Sequence, residues 1–198
     1  MYPFFALISR MKYIDRWALM RNSRNENLSD HCLEVGIIAH ALCIISNKRF
    51  KRNLNAEKAA LIGMYHDASE IITGDMPTPV KYYGKEITTA YKKIEKIAEK
   101  RLVDKLPKDF KEEYEKIFFS DETEDDIYIR KLVKAADKIS AYIKCIEEKK
   151  AGNSEFKNAE ESTKHILDEM AEEIPEIDIF MKEFLDDYGK TLDELLYE

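Results

Sequence analysis

The chain has 198 residues, of which 44% are hydrophobic, enough for one domain with a sizeable core. Its formal charge of −7 argues against a general nucleic-acid or anionic-membrane surface, while leaving room for a small basic pocket. No unbroken run of about 18 apolar residues marks a membrane span. No charged segment followed by a long apolar one opens the chain as a secretory signal would. Cys32, Cys43 and Cys145 are odd in number and form no CxxC, so they are expected to be buried thiols of a cytoplasmic protein.

Six glycines, five prolines and apolar residues recurring at spacings of three and four predict an all-α fold. Phe4, Phe5, Leu7, Ile8 and Met11 predict a short first helix. Asp15 to Arg21 breaks the period and leads into a polar loop, Asn22 to Asn27. Asn27 or Ser29 can cap a helix over about 28–47, whose core stripe is Val35, Ile38 and Leu42, with His31 one turn earlier. Asn55 caps a helix predicted to run without a break to Gly74. Asp75 to Lys81 holds Pro77 and Pro79, each of which disfavours helix in the residue before it, and is predicted to be a stiff loop. A long amphipathic helix is predicted over 86–106 and a shorter one after Pro107. The acidic stretch 121–126 reads as a solvated loop or helix start. A helix over 129–149 ends at Gly152, two more are split at Pro175, and Thr191 with Glu194 fits a capping box. No repeat or long linker divides the chain. Residues 1–198 therefore read as one helical domain, with the chemistry within 15–140 and the helices of 153–198 packing on it.

The stretch 59–72 reads as an apolar helix, yet it carries His66, Asp67 and Glu70. A buried charge costs several kcal/mol unless it is paired or bound to a metal, and a divalent cation is the simplest compensation. His40 lies nine residues after His31, roughly 180° around a helix, so these two cannot serve one metal. His165 sits in a polar helix and reads as a surface residue. His31 alone would be an ordinary structural histidine, but it shares the face of Val35, Ile38 and Leu42. Asp137 interrupts an apolar helix among small neighbours; its ordinary reading is a salt bridge with Lys134 or Lys138. Together His31, His66, Asp67 and Asp137 make a set of two imidazoles and two carboxylates that neutralises a divalent ion and leaves positions for water and substrate.

This H…HD…D set on an all-α chain resembles the HD-domain metal-dependent phosphohydrolases. Residues 14–21, 26–31, 64–70, 73–81 and 135–137 are similar to the bacterial 5′-deoxynucleotidases. The likeness is close over about the first 150 residues and looser beyond. It implies hydrolysis of deoxyribonucleoside 5′-monophosphates, a homodimer, and one divalent cation such as Co²⁺ or Mn²⁺.

A phosphate dianion needs positive charge beyond a neutral metal site. Arg16 can supply a bidentate fork and Lys81 a point charge. Either would ordinarily read as a solvated side chain. The resemblance places substrate contacts on Arg16, Trp17, Thr78, Pro79, Val80 and Lys81, together with His31, Asp75 and Asp137. Glu70 and Asp75 are the acid–base candidates, their roles undivided. Trp17 is either a core anchor or, as the resemblance implies, a wall against the sugar where a 2′-hydroxyl would not fit. Two other readings stand beside this one: an HD hydrolase of a triphosphate, cyclic nucleotide or alarmone, and a non-catalytic helical protein that keeps the metal site.

Overall fold

A computed structural model describes residues 1–81, 83–119 and 123–197. The helices are α1 (Phe4–Ile8), α2 (Leu28–Arg49), α3 (Ala56–Tyr65), α4 (Glu70–Thr73), α5 (Thr78–Lys81), α6 (Lys85–Val103), α7 (Lys108–Phe118), α8 (Glu124–Lys150), α9 (Lys157–Ala171), α10 (Glu176–Phe184) and α11 (Leu192–Tyr197). Among the described residues the only extended pairing is a single bridge between Asp15 and Asn27.

The caps explain where the helices start. Asn27 accepts from the N–H groups of Ser29 and Asp30 to open α2, and Asn55 accepts from Lys58 to open α3. Thr123 accepts from Asp126, so α8 begins at Glu124, earlier than predicted. Its acidic first turn suits a helix N-terminus. Asp121 and Glu122 lie outside the described residues. Thr191 and Glu194 bond reciprocally at the start of α11.

α2 is the axis of the bundle. Val35, Ile38 and Leu42 pack with Ile62 of α3, Leu132 and Ile139 of α8, Leu167 of α9 and Phe180 of α10. A second cluster joins Phe4, Met11, Leu28, Cys32, Ala68, Leu102 and Phe118. By length and composition α2 is apolar enough to cross a membrane, with a mean hydropathy of 1.5, which the run-based sequence reading did not register. More than half of that stretch is buried inside the fold, as a core helix requires.

The sequence predicts one helix from Asn55 to Gly74, but the structure breaks it. After Tyr65 the bonds close at i→i+3: Ala68 to Tyr65, Glu70 to Asp67, Ile72 to Ser69. The carbonyl of Gly63 would receive the Asp67 N–H in a continued helix. Instead it accepts from Nδ1 of His66 at 2.7 Å. His66 and Asp67 therefore sit on a tight turn and Glu70 opens α4 after it, so the three do not share the face of one continuous helix. The predicted stiff loop is also corrected in part, because Thr78–Lys81 closes one helical turn on the carbonyl of Pro77. Pro79 is tolerated there because the first turn needs no amide donor from it.

α2 and α3 cross with almost no space between them. A Cβ at Gly63 would lie 2.7 Å from the Cα of Gly36 and 2.8 Å from its nitrogen. Alanine in a helix interior normally gains about 1 kcal/mol over glycine. At Gly63 overpacking reverses the sign. Gly63→Ala is expected to lose about 1–3 kcal/mol of stability in chemical denaturation, the usual cost of forcing extra atoms into a packed contact. A gain in stability would show that the helices separate freely.

Candidate active site

His31 stands on the first turn of α2, His66 and Asp67 on the turn after α3, and Asp137 midway along α8. One donor atom each of His31, His66 and Asp67 lies within 4.8 Å of the others. Oδ2 of Asp67 is 3.0 Å from Nε2 of His66 and 3.7 Å from Nε2 of His31. Oδ1 of Asp137 is 3.2 Å from Nε2 of His31. Both Nε2 atoms are buried and make no hydrogen bond.

The other ring nitrogens fix the tautomers. A carbonyl can only accept, so the bond to Gly63 puts the His66 proton on Nδ1. Ser140 donates its hydroxyl proton to Glu34 at 2.6 Å, so its oxygen accepts from Nδ1 of His31 at 3.1 Å. Each Nε2 therefore turns a lone pair toward the carboxylates, as a metal ligand oriented from behind must. Two imidazole nitrogens converging on two carboxylates call for a cation between them, and this donor set fits a divalent metal.

The charges respond to this crowding. Burial and then the Arg16 charge lower the pKa of His31. Burial also works against His66, but Asp67 outweighs it and raises the pKa well above the ordinary value. Burial opposes ionisation of Asp67 and Asp137; His66 for the one, Lys138 and His31 for the other, still hold them below the usual carboxylate range. Asp137 also forms the predicted salt bridge with Lys138, at 3.0 Å.

Glu70 is 4% exposed, and its Oε2 makes no hydrogen bond. Burial, with Asp67 and Asp75 nearby, pushes its carboxyl up to about 9. Asp75 is half-buried and is also shifted upward, mainly by burial. Arg16 donates from Nε to Glu26 at 2.7 Å and brings Nη1 to 3.7 Å from Asp67. Lys81 pairs with Glu95 at 2.8 Å and lies 4.9 Å over the ring of Tyr91. Its α5 neighbour Val80 is half exposed, and Thr78 and Pro79 supply the start of the same turn. His40 is exposed, and so is His165, which pairs with Glu169.

Trp17 lies on the loop whose neck is the Asp15–Asn27 bridge. It is half-buried, tilted against Phe156 at 5.3 Å, and has a φ of +56°. Several partners were missed in the sequence: Glu26 behind Arg16, Ser140 and Glu34 behind His31, and the buried pair Lys144–Glu148 under the loop. Only the last left a signal, a Lys-to-Glu spacing of four, and that pattern ordinarily reads as a solvated pair.

A family profile for YfbR-like 5′-deoxynucleotidases matches residues 3–188. The 5′-deoxynucleotidase of Photorhabdus temperata is 50% identical over 193 residues, covering 97% of this chain and 95% of its own. One from Yersinia pseudotuberculosis is 47% identical over 196 residues, with 97% and 95% covered. Among solved structures, an HD-domain phosphohydrolase from Listeria innocua superposes with a TM-score of 0.78 at 22% identity, over 93% of this chain and 87% of its own. A cyanophage S-2L HD phosphohydrolase, bound to dA and one catalytic Zn²⁺ ion, gives 0.60 at 16% identity, over 92% and 96%. These two share the fold.

Ser140→Ala is expected to weaken binding of Co²⁺ or Mn²⁺ by about 10–100-fold, the usual effect of removing the group that orients a ligand histidine. His66→Ala should remove binding altogether. Calorimetric titration of folded protein checks both, and unchanged affinity in Ser140→Ala would separate His31 from the metal.

Proposed function

The chain belongs to the YfbR-like 5′-deoxynucleotidase family, and from that premise we propose how its own residues divide the hydrolysis of 2′-deoxyribonucleoside 5′-monophosphates to deoxynucleoside and phosphate. The enzyme is a metal-dependent phosphohydrolase. His31, His66, Asp67 and Asp137 hold one divalent cation. The observation that carries this is the pair of unpartnered Nε2 atoms turned toward Asp67 and Asp137. Mixed imidazole and carboxylate ligands suit Co²⁺, Mn²⁺ or a similar first-row ion. Such an ion, when bound, supplies a Lewis acid that polarises the phosphoryl oxygen and eases deprotonation of water.

The remaining steps belong to side chains. Arg16, its Nε anchored on Glu26, offers its free N–H groups to the phosphate. Lys81, steered by Glu95 and Tyr91, adds a second positive charge. The turn that begins at Thr78 and runs through Pro79 and Val80 is the segment the family likeness implies for further substrate contacts. Trp17 closes against the sugar. Glu70, neutral through burial, gives its proton to the departing 5′-oxygen as the P–O bond breaks. Asp75 orients the incoming water and takes its proton as the new O–P bond forms.

The chain acts as a homodimer in the cytoplasm, where a nucleotide substrate is at hand and the free buried Cys32, Cys43 and Cys145 stay reduced. Leu33, Ile37 and Ile44 form an exposed apolar stripe on α2, and Met64 of α3 lies beside Gly36 to extend it. A contiguous stripe of this kind supports contact between two copies.

Glu70→Ala should slow deoxynucleotide hydrolysis by about 10²- to 10⁴-fold, the range for a lost general acid. A nitrophenyl phosphate, whose leaving oxygen needs no proton, should lose far less. Equal losses on both esters would move Glu70 to the water side and give the donor role to Asp75. For the dimer, Ile37→Glu is expected to halve the mass measured by light scattering without loss of helix content; an unchanged mass would exclude the α2 stripe as the interface.

A further inference from the structure

Trp17 holds a backbone conformation that a bulky residue rarely adopts, with φ at +56°. Such a conformation is strained and persists only where its surroundings over-determine it. Within the loop, the carbonyl of Trp17 accepts from the Met20 N–H at 2.9 Å and from Nδ2 of Asn22 at 3.2 Å. The other restraints come from far along the chain, where α8 gives way to α9.

There Glu148 is 1% exposed and accepts from the N–H of Ser23 at 2.9 Å, from Nδ2 of Asn153 at 2.7 Å and from Nζ of Lys144 at 2.5 Å. Lys144 is also buried, and donates to the carbonyl of Arg24 at 2.6 Å. Asn153 donates to the carbonyl of Arg21 at 2.7 Å. Phe156, 1% exposed, receives the tilted indole of Trp17.

A buried ion pair adds little stability over apolar residues of the same size. This one is spent differently, since both charges and the amide reach past each other to the backbone of residues 21–24. A device of that design fixes the position of a loop.

We propose that Glu148, Lys144, Asn153 and Phe156 are positioning residues for sugar selectivity: they clamp the loop from Trp17 to Arg24 so that the indole stands as a rigid wall, without touching substrate themselves. The inference rests on the placement of Trp17 against the deoxyribose. Rigidity is what the chemistry demands. A compliant apolar surface rejects an added hydroxyl by only about 10²-fold, and less if the wall can retreat. Arg16 is held separately, by Glu26 and by the neck of the loop, where its N–H donates to the carbonyl of Glu26 at 2.9 Å. Loosening the clamp therefore frees the wall before it frees the phosphate contact.

The test compares kcat/KM for a matched 2′-deoxy and ribo monophosphate in the wild type, Glu148→Gln, Phe156→Leu and Trp17→Ala, with nitrophenyl phosphate as a sugar-free control. Glu148→Gln and Phe156→Leu should each narrow the deoxy-over-ribo ratio by about 10-fold, within the range a shaped apolar wall can supply. Their rates on nitrophenyl phosphate should match the wild type, which a general loss of structure would not allow. If Glu148→Gln fails to fold, Phe156→Leu alone decides. Clamp variants that keep the wild-type ratio while Trp17→Ala loses it would overturn the clamp and leave the sugar wall standing. An unchanged ratio in Trp17→Ala would overturn both.

Discussion

The backbone contact between Gly36 and Gly63 is the constraint on which the rest of the site depends. No side chain separates α2 from α3 at that point, and a single added carbon on Gly63 would fall within 3 Å of Gly36. His31 precedes the crossing on one helix and His66 follows it on the other. Because the helices touch through backbone, the two imidazole centroids come to 5.2 Å of each other. Gly63 serves twice, since its carbonyl also holds the ring of His66 and helps to end α3 there. Packing, helix termination and ligand orientation thus meet in one residue.

Around this crossing the charges do not balance within the protein. Asp67, Asp137, Glu70, Asp75 and Glu26 crowd one region, while Arg16, Lys81 and Lys138 answer them. Partial burial works against the charge of Arg16, yet Asp137, Asp67 and Glu26 outweigh it and raise the pKa. Glu70 is pushed up by burial beside Asp67 and Asp75, which Lys81 and Arg16 only partly offset. A single field thereby separates the carboxyls, pushing Glu70 up while Asp67 and Asp137 are held down. Carboxyl groups with different environments can take different roles in one reaction.

The periphery supports this centre by fixing loops instead of adding to the core. Glu95 and Tyr91 on α6 restrain Lys81. The Asp15–Asn27 bridge and the Arg16–Glu26 pair close the neck of the loop that carries Trp17. Lys144 and Glu148 close its other end on α8. The loop that carries Trp17 and the turn that carries Lys81 are each tied to a long helix, so their geometry is inherited from the bundle.

The sequence by itself determined the helical architecture and most helix starts, and it singled out the candidate residues of the site. These are local matters: periodicity, caps at Asn27 and Asn55, and charges standing where an apolar helix has no use for them. Tertiary structure decided what depends on neighbours distant in the chain. The spacing predicted one continuous helix through His66 and Asp67, and no local pattern announces that a histidine ring will claim the carbonyl of Gly63. Ser140 and Glu34 are unremarkable in sequence; they become the support of His31 only because α8 lies across α2. Lys144 and Glu148 read as a solvated pair until a loop more than a hundred residues earlier covers them. Ligand identity follows from residue type, which a sequence spells out, whereas ligand orientation follows from packing, which only the assembled fold defines.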